Sequence, residues 1–342
     1  MDNDSLPVVK VVPFQAHCFA FGGFELQMLN ALQAAGSVGV NIERFDAWSR
    51  SNDFDVLHFW GMGVQHLNNI DWTKRSGKKV VLSVLTPYAT SRFLLRGWVS
   101  RIVSQGKILQ QMLSLVDAIT VVNTGQKEYL LRVYNYPEEC VFVVPNIVED
   151  IFYDTAPTDN GLGEKFSKGA YVVCSGNLCT RKNQLMLVKA CIAGDIPLVL
   201  VGGILTGEES YGQQVIELIS GKDNIKWLDH LRAGSPELSS IIKNAGVFAL
   251  VSHYEQQPIS ALEAVAAGVQ VVMSDRPFSH QLFYENACLV DPDSEKSILG
   301  GVARALQQKD TVVNKNIQNC KTEKVGMAYR DVYEFVCGTK QQ

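Results

Sequence analysis

Two carboxylates lie eight residues apart, Glu255 in a Gln- and Pro-containing loop and Glu263 in the apolar run after it. The stretch VFALVS-HYEQQP-ISALEAVAAG reads strand, loop, helix. Glu255 then follows the carboxyl end of a strand, where open α/β sheets present their ligands. The helix start behind it offers unpaired N–H groups and positive dipole character, which suit a diphosphate. Plainer uses exist. Ser260-Ala-Leu-Glu263 has capping-box spacing, in which Glu263 would bond the backbone of Ser260, and Glu255 alone could be a solvated loop acid. A second cluster precedes this one. Ser175-Gly176-Asn177-Leu178 ends one strand, and Arg181-Lys182-Asn183 opens the next helix. A leaving diphosphate develops negative charge, which Lys182 would meet as a point charge and Arg181 as a bidentate donor. The alternative is a pair of solvated cations at a helix start, where the dipole mildly disfavours them. Near the N-terminus, Gly22-Gly23 permits close backbone approach to an anion, although a lone pair of glycines is usually only a turn.

Such residues need elements that gather loops at strand ends. VVKVVPF (8–14) reads as a first strand and ELQMLNALQAAG (25–36) as a helix ended by Gly36. FDVLHFW (54–60), KKVVLSVL (78–85), DAITVVN (117–123) and CVFVVPN (140–146) read as strands, with helical periodicity over 99–115 and 125–135. The polar text from Asp154 to Lys168 predicts a linker. Beyond it the same grammar returns: strands at 170–178, 197–203, 224–229, 247–252 and 269–274, helices at 183–194, 236–246 and 259–268. KVGMAYRDVYEFV (324–336) reads as a closing amphipathic helix. This alternation predicts an α/β protein with two Rossmann-like, doubly wound domains facing a cleft. The expected division is 1–155, 156–320 and a C-terminal helix segment 321–342.

Bulk composition narrows the function. The chain has 342 residues, 46% of them hydrophobic, which fits two domains at roughly 100–200 residues each. A formal net charge of -4 marks no nucleic-acid binder. The eight cysteines form no CxxC pair and no zinc spacing, and several sit in apolar runs, as buried free thiols of a reducing compartment do. The polar opening MDNDSLPVVK predicts no secretory leader, and no apolar run approaches the roughly 20 residues of a membrane span. The expected location is cytoplasmic, with room for a peripheral position on the inner face of a membrane.

The segment EQQPISALEAVAAG resembles the EX7E signature of family 4 of the retaining glycosyltransferases, which have the GT-B fold. Members often read E-G-x-P-I-S-x-L-E-A-x-A-x-G, and Glu255, Pro258, Ile259, Ser260, Leu262, Glu263, Ala264, Ala266 and Gly268 fall in register. GNLCTRKN resembles the family's G-[RN]-L-x-x-x-K-[GN], and Gly22, Gly23 and Glu25 fit its GG-x-E loop. DFDVLHFWG, PNIVEDIF and NIKWLDH resemble further family segments, so the likeness runs from about residue 10 to 335. It implies sugar transfer, with retention, from a nucleotide diphosphate to a hydroxyl of a glycan or lipid-linked acceptor, as in cell-surface polysaccharide synthesis. Glu255 would act on the transferred sugar as the catalytic residue. Glu263 would hold the ribose, and the backbone near Pro258, Ile259 and Ser260 would meet sugar and phosphates. Gly22, Gly23, Gly176, Asn177, Arg181 and Lys182 would complete the donor site. Glu25 and His58 would lie on the acceptor side. No metal or other cofactor is implied, the final helix would cross back onto the first domain, and no nucleic acid is a partner.

The departures are specific. Gln256 stands where glycine is common, Asn177 replaces a frequent arginine, Ile147 replaces a glycine, and LTPY (85–88) lacks the histidine that often follows the strand corresponding to KKVVLSVL. His58 and His66 are nearby in sequence, but His58 also fits a core position. Residues 92–107 interleave Arg92, Arg96, Arg101 and Lys107 with Phe93, Leu94, Leu95, Trp98, Val99 and Ile102. That pattern suits peripheral membrane contact or an ordinary surface helix. Rival classes are a catalytically silent GT-B nucleotide-binding protein, a GT-B sugar phosphorylase or epimerase, and a nicotinamide-dependent dehydrogenase. The last would need a GxGxxG loop that the sequence lacks.

Overall fold

A computed structural model describes residues 6–19, 22–154, 159–229, 231–308 and 314–338. Ala20 and Phe21 of the glycine loop, residues 155–158 of the polar stretch and His230 therefore lie outside the described residues. The chain divides into two units, one of residues 1–147 with 319–342, the other of 148–318.

The first unit contains β1 (Val8–Val12), α1 (Gly23–Ser37), β2 (Asn41–Arg44), β3 (Val56–Trp60), α2 (Leu67–Arg75) and β4 (Lys79–Ser83). It continues through α3 (Ser91–Ile102), α4 (Ser104–Leu113), β5 (Ala118–Val121), α5 (Thr124–Tyr129) and β6 (Val141–Val143). The second unit holds β7 (Val172–Ser175), α6 (Gln184–Ala193), β8 (Leu198–Val201), α7 (Glu209–Ile219), β9 (Ile225–Leu228) and α8 (Pro236–Asn244). Then follow β10 (Val247–Leu250), α9 (Ile259–Ala266), β11 (Gln270–Ser274), β12 (Cys288–Val290) and α10 (Glu295–Gln307). The closing α11 (Thr322–Cys337) belongs to the first unit.

Both sheets have six strands, ordered β2-β1-β3-β4-β5-β6 and β12-β11-β10-β7-β8-β9. Every pairing is parallel. Helical crossovers cover both faces of such sheets, so their strands are apolar without alternation. β3 shows this, with all five residues buried. In the first unit Val9, Val56, Val81 and Ala118 pack with α1 and α11, while Leu57, Phe59, Leu82 and Ile119 pack with Ile70, Met112 and Leu130. α11 contributes Val325, Tyr329, Val332 and Tyr333 to that first layer. Gly326 lets it come close: a Cβ there would stand 2.3 Å from the Ala34 carbonyl oxygen. The second unit's core joins β7, β8, β10, α6 and α10 through Val172, Leu187, Leu198, Ala249, Ile298 and Val302.

The architecture is the expected one, with local corrections. The periodicity over 99–115 resolves into α3 and α4, broken at Val103, whose backbone is extended (φ -85, ψ 160). The helix expected at 125–135 is α5 followed by a π turn, Leu130–Tyr134, which Asn135 ends in the left-handed region (φ 53). Part of the expected linker is ordered structure of the second unit: Phe166 is buried, and Asn160 donates to its carbonyl at 2.7 Å. The edge strands β2 and β12 and the helices α2, α7 and α10 carried no expectation.

Candidate functional site

In the second sheet the strand order reverses between β7 and β10, which are hydrogen-bonded neighbours. The loops leaving their carboxyl ends must therefore diverge, and the space between them is where doubly wound sheets bind ligands. The β7 loop carries Gly176, Asn177, Arg181 and Lys182, and the β10 loop carries Glu255. Their side chains meet. Lys182 Nζ lies 2.9 Å from Glu255 Oε1, and an Arg181 guanidinium nitrogen lies 2.7 Å from Oε2. Ser252 donates to Glu255 Oε1 at 3.1 Å. Burial would raise the Glu255 carboxyl, but the adjacent Lys182 and Arg181 charges and hydrogen bonds outweigh it and hold its pKa below the usual range.

The backbone makes this convergence possible. Gly176 has φ 141, and a Cβ there would stand 2.8 Å from Lys182 Cε. Glycine thus gives the lysine stem its path as well as the loop its turn. Asn183 follows in the left-handed region (φ 58) and donates its amide to the Val251 and Pro292 carbonyls at 3.2 and 2.8 Å. Gln184 donates to the Asn177 carbonyl at 2.9 Å and accepts from the Cys179 N–H at 3.3 Å. On the other side, Gln281 donates to the Gln256 carbonyl at 2.9 Å and accepts from Gln257 at 2.8 Å. Gln256, the residue in place of glycine, donates to the Tyr254 hydroxyl at 2.6 Å. Arg181 also donates to the Tyr254 carbonyl at 2.6 Å, and the His253 N–H donates to the Arg181 carbonyl at 2.9 Å. None of Ser252, Gln184, Gln257 and Gln281 was selected from sequence. Asn183 had a signal, the [GN] position, whose physical reason is its positive φ.

The capping box does not form. Pro258 is the N-cap of α9 and has no side-chain acceptor to offer. Ser260 sits one position into the helix, and its hydroxyl donates to the Ser175 carbonyl at 3.1 Å, tying α9 to the end of β7. The helix start beside Pro258 and Ile259 thus keeps its positive end without a side-chain cap. Glu263, freed of capping, is 7% exposed and has no hydrogen bond to its carboxylate among the described residues. Desolvation, with the charge of Glu149 second, lifts its pKa to about 8.

The candidates of the first unit are engaged differently. α1 starts at Gly23, and Glu25 bends back to accept the Gly22 N–H at 2.9 Å and the Gln15 amide at 3.2 Å. His58 is fully buried, and desolvation depresses its pKa to about 3. Its ring nitrogens pair with the Tyr333 hydroxyl at 2.9 Å and the Ser83 hydroxyl at 2.8 Å. That corrects the acceptor-side expectation: His58 is a neutral core residue joining α11 to β3 and β4. His66 is also buried and lowered by desolvation.

Two doubly wound sheets of this order, the second with an acid bridging two cations at its switch point, define a class of α/β proteins that hold ligands at the ends of their strands. Comparison with known proteins narrows it. "Glycosyltransferase Family 4" matches residues 31–150 and "Glycosyl transferases group 1" matches residues 160–322. Between them these matches take in most of both units, so the two halves of the chain are similar to two glycosyltransferase families, and its fold is GT-B. It is 24% identical over 211 residues to the O-antigen chain mannosyltransferase RfbU of Salmonella typhimurium, covering 61% of this chain and 56% of that one. The chain spans about half the length of the curated relatives it matches. Among solved structures, a glycosyltransferase from Rickettsia africae superposes with TM-score 0.72 at 13% identity, covering 98% of this chain and 100% of that one. Anabaena Alr3699/HepE in complex with UDP-glucose gives 0.69 at 15% identity, covering 96% and 99%. At such identities the structural likeness shows the fold alone.

Proposed function

We propose that the chain is a retaining glycosyltransferase that moves a hexosyl group from a nucleoside diphosphate to a hydroxyl of a glycan or lipid-linked acceptor. Synthesis of a cell-surface polysaccharide or glycoconjugate is its setting. The observation that carries this reading is the fork of Arg181 and Lys182 on Glu255 at the β7/β10 switch point. Two cations held rigidly beside an uncapped helix start form a ready seat for a diphosphate, and a leaving diphosphate gains more from them than a bound one does. The name of RfbU, a mannosyltransferase, and the UDP-glucose held by HepE support a nucleotide-sugar donor.

In this reading the incoming diphosphate takes Arg181 and Lys182 from Glu255, and the released carboxylate turns to the reacting face of the sugar. Glycosyl transfer breaks the anomeric C–O bond to phosphate and forms one to the acceptor oxygen, whose proton passes to an oxygen of the leaving diphosphate. Glu263, mostly protonated at neutral pH with its pKa near 8, can both donate to and accept from a ribose hydroxyl. Gly176, Asn177, Pro258, Ile259 and Ser260 complete the donor site. A lipid-linked acceptor is reached through peripheral contact of residues 92–107 with a membrane, and the protein works on the cytoplasmic side. No metal takes part, so transfer persists in EDTA; loss on chelation, restored by Mg2+ or Mn2+, would contradict it.

Thermal-shift titration with UDP-, GDP- and ADP-sugars tests the donor site. At least one should raise the midpoint, and that stabilisation should shrink in Lys182→Ala. If none stabilises the protein, the donor assignment fails. NMR of the product anomer tests retention, and phosphate offered as acceptor separates transfer from phosphorolysis.

A further inference from the structure

α3 is a surface helix whose two sides differ sharply. Its inner side is tightly fitted: Leu94 and Gly97 are buried, and a Cβ on Gly97 would stand 2.6 Å from the Tyr129 hydroxyl. Leu94 packs with Tyr129 and Val133. The outer side is apolar. Leu95 is 61% exposed, Trp98 49%, Val99 54% and Ile102 73%, and Val103 after the helix end is 52% exposed. At about 100° per residue, Trp98, Ile102, Leu95 and Val99 follow one another around the helix, and exposed Arg92 and Arg96 come next. Single exposed apolar residues are ordinary, but an adjoining set on one helix marks a contact surface.

The charges choose the occupant. From residue 72 to residue 116 the chain holds eight lysines and arginines and no aspartate or glutamate. Arg92 and Arg96 form no ion pair among the described residues. A second copy of this face would set arginine against arginine, and the neighbouring carboxylate of Glu128 is already paired with Arg132. An anionic bilayer satisfies both halves of the surface: acyl chains take the apolar strip and headgroups take the arginines. Trp98 suits the boundary, since its indole N–H is already held by the Arg132 carbonyl at 3.1 Å while much of its ring stays open. We infer that the outer face of α3, Leu95, Trp98, Val99 and Ile102 edged by Arg92 and Arg96, lies flat in the headgroup layer of an anionic membrane. This narrows the membrane contact proposed for residues 92–107 to one face of one helix and rests on that reading of the acceptor.

The test is co-sedimentation of the full chain with phosphatidylcholine vesicles, with and without phosphatidylglycerol. The wild type should sediment with the anionic vesicles and be released by salt. Trp98→Ser with Ile102→Ser, and separately Arg92→Glu with Arg96→Glu, should each weaken binding about tenfold or more. Arg92, Arg96 and Ile102 are exposed and Trp98 half-exposed, so both variants should stay folded by circular dichroism and keep the nucleotide-sugar stabilisation. Absence of sedimentation with anionic vesicles overturns the inference. So does equal sedimentation of both variants, or light scattering that shows a dimer abolished by Trp98→Ser with Ile102→Ser. If vesicles bind but no nucleotide sugar does, the membrane face stands and the transferase reading falls; the opposite pairing sinks the face alone.

Discussion

The loops of the second unit and the strand ends of the first offered similar polar residues and spent them differently. In the second unit Arg181, Lys182 and Glu255 gather around one point, held there by Asn183, Gln184 and Gln281. In the first, Glu25 closes the start of α1 and His58 is locked beneath α11. A residue type becomes a candidate site where two loops bring opposite charges together at a reversal of strand order. Where the partners already satisfy it inside the core, it holds the fold.

Substitutions can break this contrast. The largest effect is expected for Glu255→Gln, which keeps the loop's shape but removes the charge proposed to act on the sugar. Turnover should fall by about 10²-fold or more with the circular dichroism spectrum unchanged; turnover within a few-fold of wild type would remove Glu255 from catalysis. His58→Leu should do the reverse. It strands the Tyr333 hydroxyl and costs about 2 kcal/mol of stability, read by urea unfolding, while nucleotide-sugar stabilisation persists.

Glu263→Gln gives a pH signature. The folded carboxyl holds its proton up to about pH 8, against 4.5 for the free group, so it erodes wild-type stability as pH rises through that window. The melting midpoint of the glutamine variant, relative to wild type, should therefore climb between pH 5 and pH 8 by the equivalent of about 3–4 kcal/mol. A flat difference would mean that Glu263 is ionised in the fold. The smallest effect is expected for Glu25→Ala, about 0.5–1 kcal/mol from the lost contact at the start of α1. A kcat loss far beyond that stability cost would return Glu25 to the active site.

Legibility in the sequence followed burial. The central strands were plain because both faces of a parallel sheet are covered, so β3, β4, β7, β8 and β10 are nearly all apolar. β2 was not, because Asn41–Arg44 lies at an edge with its side chains mostly outside. α2 and α7 bury only two residues each, too few for a visible stripe. Within the site, the charged residues could be picked by type and spacing. Gln184 and Gln281 could not, since each works by reaching backbone groups across space that no local pattern records. The capping reading of Ser260 failed by register: the helix starts one residue before it, at Ile259.

α11 has a consequence for how the chain is made. It supplies Val325, Tyr329, Val332 and Tyr333 to a layer whose other members lie within the first 147 residues. The whole second unit is translated between those parts, and it can fold from its own contiguous residues meanwhile. During that interval one face of the first sheet waits with α1 but without α11, a partly open apolar surface for chaperones or for neighbouring nascent chains. Residues 1–147 alone should accordingly aggregate, and a separately supplied peptide of residues 319–342 should rescue them.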